Sequence, residues 1–144
     1  MLLSLGIKTT DGTSGAPSLE IITGSSSRVS VKEIGIFQST ANASTIGIGR
    51  PAAAGVDPDS PVDFLVHDED VLSPASGTIQ AATAWTTSAP TAPSQFLRRV
   101  SLPATVGTGV IFTFENLIIQ PSSSLVLWNI DASSVVDVYV VVEI

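Results

Sequence analysis

The chain has 144 residues, no cysteine and a net charge of −7, and only 13% of its residues are charged while 44% are hydrophobic. This length fits one domain with a single core, and the hydrophobic content argues against a disordered chain. The acidic balance argues against a free nucleic-acid binder, and without cysteine there can be no disulfide, thiolate metal ligand or cysteine nucleophile.

Short runs of Val, Ile, Thr and Ser between Gly and Pro residues predict β-strands rather than helices. In chain order the predicted strands cover residues 2–8, 19–23, 28–38, 45–50, 62–66, 77–85, 95–102, 110–115 with an extension at 117–119, 124–130 and 135–144. About eight to ten strands at this spacing predict an all-β antiparallel sandwich or jelly roll with little or no helix.

The chain is predicted to be one β-sandwich domain over residues 1–144, in which residues 1–18 are a candidate extended N-terminal arm. The first residues lack the basic leader and the long apolar stretch of a signal peptide, and no run is long enough for a transmembrane helix. The stretches 9–18, 51–61 and 86–94 are rich in turn-forming residues and are predicted loops of this domain.

The last two predicted strands form the clearest local unit. Turn-forming residues at 129–134 predict that these strands pair with each other as antiparallel neighbours. In the final strand every second residue from Val136 to Ile144 is apolar, which predicts a face in the core. The opposite face is also largely apolar, with charges only at Asp137 and Glu143. Either a neighbouring subunit or an N-terminal segment covers that face, or the strand is central and buried within the domain.

A dinucleotide-binding pattern occurs at Gly47, Gly49 and Ala52, with acidic residues at 68–70, about twenty positions further on. Such a site requires a helix directly after the glycines, because the helix N-terminus holds the pyrophosphate. Here Gly55 and two prolines interrupt the segment that follows. The glycines are therefore predicted to lie at the end of a strand that leads into a surface loop, and no cofactor is expected.

The other chemical constellations are incomplete. His67 is the only histidine and lies beside acids, but the Gly-x-Ser-x-Gly motif is absent and a zinc site would need further ligands. His67 is therefore predicted to be a surface or interface residue, and the chain is not expected to be an enzyme. Clustered carboxylates suit calcium, although the EF-hand spacing is missing and a solvated acidic loop is the alternative. The candidate calcium ligands are Asp57, Asp59, Asp68 and Asp70.

A few basic and aromatic residues are predicted to contact other proteins. Arg98 and Arg99 are consecutive in a predicted strand, so they point to opposite sides, and both can reach water if the strand lies near a sheet edge. Arginine and aromatic residues are enriched at protein interfaces. The interface candidates are Arg50, Trp85, Arg98, Arg99 and Tyr139.

Three stretches resemble a group of small tailed-phage virion proteins, some of which are jelly-roll head decoration (cement) proteins. The stretches are VKEIGIFQSTANASTIGIGRPAAAGV at 31–56, FLRRVSLPATVGTGVIFTF at 96–114 and LIIQPSSSLVLWNIDASSVVDVYVVVEI at 117–144. The resemblance covers most of the chain, from about residue 20 to the end, and the group offers no catalytic residues to transfer. It implies a jelly roll that binds the outside of a phage head as a homotrimer and bridges neighbouring major capsid proteins.

The expected partners are the major capsid protein and further copies of this chain, with no nucleic acid and no membrane. The expected location is the virion, on the head surface, after assembly in the host cytoplasm. One alternative is a tail-associated or receptor-binding β-sandwich that recognises a host glycan, for which Trp85 is the candidate for sugar stacking. The other is a bacterial structural or carbohydrate-binding module unrelated to phage.

Overall fold

The structure is a computed structural model that describes residues 1–10, 13–131 and 134–144. The described residues form thirteen strands and no helix, and every strand pairing is antiparallel. They contain no helix of the length and hydropathy needed to cross a membrane. The predicted all-β antiparallel sandwich is thus confirmed, with more strands than expected because several are only two to four residues long.

Two sheets face each other. In their order across the first sheet, the strands are β11 (Gly109–Ile119), β3 (Val29–Gln38), β13 (Val136–Glu143), β1 (Leu2–Lys8) and β7 (Leu65–Val66). In the second sheet they are β10 (Arg98–Leu102), β4 (Ser44–Gly49), β12 (Ser124–Asp131), β2 (Pro17–Thr23), β8 (Ile79–Ala82) and β6 (Val62–Asp63). A separate ribbon consists of β5 (Val56–Pro58) and β9 (Trp85–Ser88).

The core lies between the two sheets and is built by alternation along each strand. In β13, Val136, Val138, Val140 and Val142 are all buried, which confirms the predicted core face. The second sheet supplies the opposing apolar side chains from its own inner face, among them Leu19, Ile21, Ile46, Ile48, Leu125 and Leu127. One continuous apolar cluster therefore joins the sheets and supports the prediction of a single core.

The prediction that the last two strands pair with each other is wrong. β12 lies between β4 and β2 in the second sheet, whereas β13 lies between β3 and β1 in the first. Turn-forming residues show only that the chain reverses. A connection of four residues at about 3.3 Å each also spans the roughly 10 Å between packed sheets. Both strands are apolar enough to be central, so each has two neighbours in its own sheet. Two residues of the predicted turn, 132 and 133, lie outside the described residues.

The N-terminal segment is part of a sheet over residues 2–8 and is not an extended arm there. β1 pairs with β13 along its whole length, from Leu2 opposite Glu143 to Lys8 opposite Asp137. The amino group of Met1 also donates to the carbonyl oxygen of Ile144 at 2.9 Å. Residues 11 and 12 of the predicted arm lie outside the described part of the chain.

The outer face of the second sheet is covered by a layer from the same chain. We call this the covering layer; it comprises residues 50–61 and 83–97 and includes the β5–β9 ribbon. Glu20 of β2 is 1% exposed on this face, and its carboxyl group accepts hydrogen bonds from the Trp85 indole at 2.7 Å and from the Gly55 amide at 3.1 Å. Because an unpaired buried carboxyl group would be costly, these bonds hold the layer on the sheet.

The glycines of the dinucleotide pattern have a packing role. Gly47 and Gly49 lie within β4, and no helix follows them. A side-chain carbon built on Gly47 would lie 2.7 Å from a Phe96 ring carbon, and one on Gly49 would lie 3.1 Å from Pro93. The missing side chains make room for the covering layer, and the described chain has no helix after these glycines of the kind that a dinucleotide site requires.

Replacing Gly47 with Val is expected to lower the free energy of unfolding by about 1–3 kcal/mol, because the added carbons must displace Phe96 or Ile130. Urea denaturation measures the change. Gly6→Val is a matched control, since Gly6 also lies in a strand but has no heavy atom within 4 Å of a side-chain carbon built there. Equal losses in the two variants would contradict the packing role of Gly47.

Candidate interaction surfaces

The outer face of the first sheet carries two aromatic rings that each lean onto a glycine of the next strand. Tyr139 lies opposite Gly35, and its ring occupies the space that a side chain on Gly35 would fill. The Phe37 ring does the same at Gly109. The ring centroids are 6.3 Å apart with an interplanar angle of 21°. We call the outer face of the first sheet around Phe37 and Tyr139 the aromatic face.

A shallow groove of about 390 Å³ borders the two rings. Gly6 lies opposite Tyr139 on β1, and a side-chain carbon built on it would have no heavy atom within 4 Å, so the surface beside the ring is open on that side. Lys8 and Asp137 lie opposite each other at one end of the groove. The groove therefore combines apolar rings with charges of both signs.

Tyr139 is anchored through its hydroxyl group, which donates to Glu33 Oε1 at 2.5 Å. The carboxylate of Glu33 raises the pKa of Tyr139 above its ordinary value, mainly because the hydrogen bond is lost on ionisation, with added contributions from partial desolvation and charge repulsion. Tyr139 was an interface candidate from sequence, and the structure places it at the centre of the outer face.

Further apolar side chains of the same face remain open to solvent. Ile111 of β11 is 54% exposed, Leu2 of β1 is 44% exposed and Leu65 of β7 is 69% exposed. Val141 lies between them in the central strand and is half-buried. Lys32 and Glu143 form an ion pair of 2.7 Å on this side, and Lys32 lowers the pKa of Glu143. The central strand of the domain is thus buried on its inner face only.

The three candidate arginines lie along the side where β10 and β11 are the edge strands of their sheets. Arg50 donates to the carbonyl oxygen of Ile118 in β11 at 2.8 Å. The guanidinium of Arg98 lies 5.1 Å from the centroid of the Phe114 ring, also in β11. Arg99 points to the other side of β10, and both neighbouring arginines are exposed, as predicted for a strand at a sheet edge.

A groove of about 530 Å³ runs beside this edge and contains Leu97, Arg98, Phe114 and Glu115. Leu97 is 41% exposed. Arg98 donates to the carbonyl oxygen of Leu97 at 2.9 Å. Within the described part of the chain, Arg50, Arg98 and Arg99 form no ion pair with a carboxylate. We call the side of the domain formed by β10 and β11, with Arg50, Arg98 and Arg99, the arginine edge.

Trp85 has a structural contact in this chain. Its indole N–H donates to Glu20 of β2, and its ring lies against Gly55 within the covering layer. A side-chain carbon on Gly55 would lie 2.5 Å from the indole ring. The residue is half-buried, so only part of the ring faces solvent.

The calcium candidates do not come together. Among the described residues, no three His, Cys, Asp or Glu side chains are placed to hold a metal ion. Asp57 accepts from the Thr87 hydroxyl at 2.5 Å, whereas Asp68 accepts from the Asp70 amide at 3.0 Å in a separate turn. Asp59 accepts from the neighbouring Ser60 hydroxyl at 3.2 Å. The carboxylates of Asp57, Asp59 and Asp68 each have a local hydrogen-bond partner, as in a solvated acidic loop.

His67 lies at the exposed edge of the first sheet. Its Nε2 atom is 2.8 Å from the hydroxyl oxygen of Ser4. Met1, Leu2, Asp68 and Val71 surround the same shallow surface. The residue is at the surface, as predicted.

Comparisons with protein-family models, with curated proteins and with solved structures found no match for this chain. The residues of the aromatic face and of the arginine edge, together with the resemblance described above, are therefore the basis for a proposed function.

Tyr139 offers a direct test of the aromatic face because it is the single tyrosine of the chain. In an ultraviolet absorbance titration, the wild-type protein is expected to ionise above the ordinary tyrosine pKa of 10.0, and Glu33→Gln is expected to lower the midpoint. The pKa of Tyr139 is higher in the folded than in the unfolded protein. The contact therefore stabilises the fold below pH 10, and this stabilisation is lost as the pH rises through the folded-state pKa. Identical midpoints would contradict the Glu33 contact.

Proposed function

We propose that the protein is a structural virion protein, a decoration or cement protein that binds the outside of a phage head and bridges major capsid proteins. The observation that carries the proposal is the aromatic face together with the open apolar side chains around it. This side of the sandwich is accessible, while the other side is covered by the chain's own layer. The jelly-roll connectivity, the homotrimer and the location on the head belong to the same proposal.

The composition of the aromatic face suits protein binding. Single exposed apolar residues are ordinary, but several on one sheet face with aromatic rings at the centre are typical of an interaction surface. Charged residues such as Lys8, Lys32, Asp137 and Glu143 surround the apolar centre, which resembles the polar rim of an interface. Two rigid rings lose little conformational freedom on binding, so they suit the anchor role.

Several weak contacts can together hold such a protein on a head. Packaged DNA pushes neighbouring capsid proteins apart, and a protein bound across them opposes this through buried area. If the copies associate, each further site binds at high effective concentration, so the whole assembly attaches far more tightly than one site would. The face needs only moderate affinity for one capsid subunit.

A glycan is the second candidate ligand for this protein. Trp85 was the expected stacking residue, but its indole is engaged by Glu20. The nearly parallel rings of Phe37 and Tyr139 beside Lys8 and Asp137 are a better arrangement for stacking on a sugar. Glycan-array binding that Tyr139→Ala abolishes, without binding to heads, would favour this candidate over the cement function.

Replacing Ile111 with Asp is expected to weaken co-sedimentation with purified heads about tenfold or more, because it places a charge in the apolar interface. Val56→Asp is the matched control, since Val56 is also an exposed strand residue, at 46%, but lies on the covering layer. Thermal unfolding of both variants checks that each remains folded. If wild-type protein does not bind heads, or if both variants bind equally, the proposed docking face is wrong.

A further inference from the structure

The main chain of β11 has a free edge whose hydrogen-bonding groups can be assigned. The main-chain N–H of Gln38 donates to the carbonyl oxygen of Thr108 at 2.8 Å, and the N–H of Gly107 donates to the Gln38 carbonyl oxygen at 2.8 Å, so the Thr108 carbonyl points toward β3. In an antiparallel ladder, hydrogen-bonded and non-hydrogen-bonded pairs alternate. The next pairs are Gly109 with Phe37, Val110 with Ile36 and Ile111 with Gly35. The N–H and C=O groups of Gly109, Ile111 and Thr113 therefore point away from β3.

These free groups have no main-chain partner within the described residues. Among the described residues, the side chain that donates a hydrogen bond to a main-chain group of β11 from outside its sheet is Arg50, which binds the carbonyl oxygen of Ile118 beyond the bulge. Ile118 has its side chain on the outer face, like Ile111 and Thr113, and its carbonyl oxygen also points away from β3, where it accepts from Arg50. One end of the edge is thus occupied and the other end is open.

The open end lacks the features that usually protect a sheet edge. Residues 109–113, GVIFT, contain no proline and no charge. Natural edge strands are commonly short, or are blocked by charged residues, proline or a covering segment. The other edge strands here, β6, β7 and β10, have two, two and five residues, and β10 carries two arginines. β11 has eleven residues, and its unprotected part is 109–113, since the bulge after Thr113, the charge of Glu115 and the Arg50 contact all lie toward its other end.

The charges beside this edge indicate what kind of strand would fit it. Arg98 lies in the groove next to Phe114, and Leu97 is partly exposed there. A strand added to β11 would direct alternate side chains into this groove. A carboxylate from that strand could pair with Arg98, which forms no ion pair among the described residues although Glu115 lines the same groove. An apolar neighbour would contact Leu97 and the ring of Phe114.

We propose that the free edge of β11 takes an added β-strand from an extended, acid-bearing segment of the major capsid protein. This inference rests on the proposed function. Strand addition gives affinity through main-chain hydrogen bonds and specificity through alternate side chains. The added strand widens the first sheet beside Ile111, so the same partner can cover the aromatic face and the edge. A second copy of this chain, through its own edge, is the competing occupant.

Thr113→Pro tests the main-chain part of the proposal. Proline removes the N–H of residue 113, which does not bond to β3, so the fold is expected to survive. A strand added to β11 would lose this hydrogen-bond donor and would clash with the proline ring. Co-sedimentation with purified heads is expected to fall about tenfold or more. Thr113→Val is the matched control that keeps the amide, and it is expected to bind like the wild-type protein.

The charge part is tested by Arg98→Gln against Arg99→Gln, since the two arginines lie on opposite sides of β10. Only Arg98→Gln is expected to weaken binding to heads. The binding of the wild-type protein is expected to weaken as the salt concentration rises, and this salt dependence is expected to be smaller in Arg98→Gln. Amide hydrogen exchange on the bound protein is expected to slow at Ile111 and Thr113. Both readouts use the intact protein, and circular dichroism checks the fold of each variant.

The outcomes separate the two proposals. If wild-type protein binds heads but Thr113→Pro binds equally well, with unchanged exchange at Ile111, the strand-addition proposal is wrong while the cement function stands. If wild-type protein does not bind heads, both fail. If the edge amides of free protein become protected as its concentration rises, a second copy occupies the edge and the capsid segment is the wrong occupant.

Discussion

The buried carboxyl group of Glu20 determines which side of this sandwich is covered. It lies on the outer face of the second sheet, where it needs hydrogen-bond donors, and Trp85 and Gly55 supply them from two different segments of the covering layer. These bonds hold the covering layer in place, and Phe96 and Pro93 complete it over the glycines of β4. Since the chain uses these loops on one sheet, the outer face of the other sheet remains open.

Aromatic rings placed over glycines recur on both sides of the domain, with different consequences. Under the covering layer, the Phe96 ring fills the space above Gly47 and joins a loop to a strand. On the first sheet, Tyr139 and Phe37 fill the space above Gly35 and Gly109, but the two rings remain partly exposed beside a shallow groove. The same packing closes one surface and leaves the other flat and accessible.

Local patterns in the sequence were enough for the fold class and for most strands. Alternating valines identified the inner face of β13, and the consecutive Arg98 and Arg99 indicated an edge strand. The pairing of β12 with β13 was wrong, because the choice of neighbours depends on contacts far apart in the chain. The predicted strand 62–66 is in fact two short strands, β6 in the second sheet and β7 in the first. The buried Phe64 is the residue between them in the chain. No local pattern marks that change of sheet.

The candidate interaction surfaces could be predicted only in part from the sequence. Tyr139 and the three arginines were identified by residue type and position. Their companions Phe37, Gly35 and Phe114 were missed, because they join those residues only through strand register across long sequence separations. A glycine opposite an aromatic residue indicates a ring that lies flat on the sheet, but such pairs can be recognised only once the strand order is known. Residue type predicted anchors, and topology was needed to assemble them into surfaces.

The pairing of β1 with β13 has a mechanical consequence. Met1 and Ile144 lie at the same end of this antiparallel pair. A force that pulls the two chain ends apart therefore loads the hydrogen bonds one after another, as in a zipper, and each bond resists alone. A force along β11 would instead load its bonds to β3 together, in shear. The domain should withstand tension applied through its sheet edge better than tension applied through its ends.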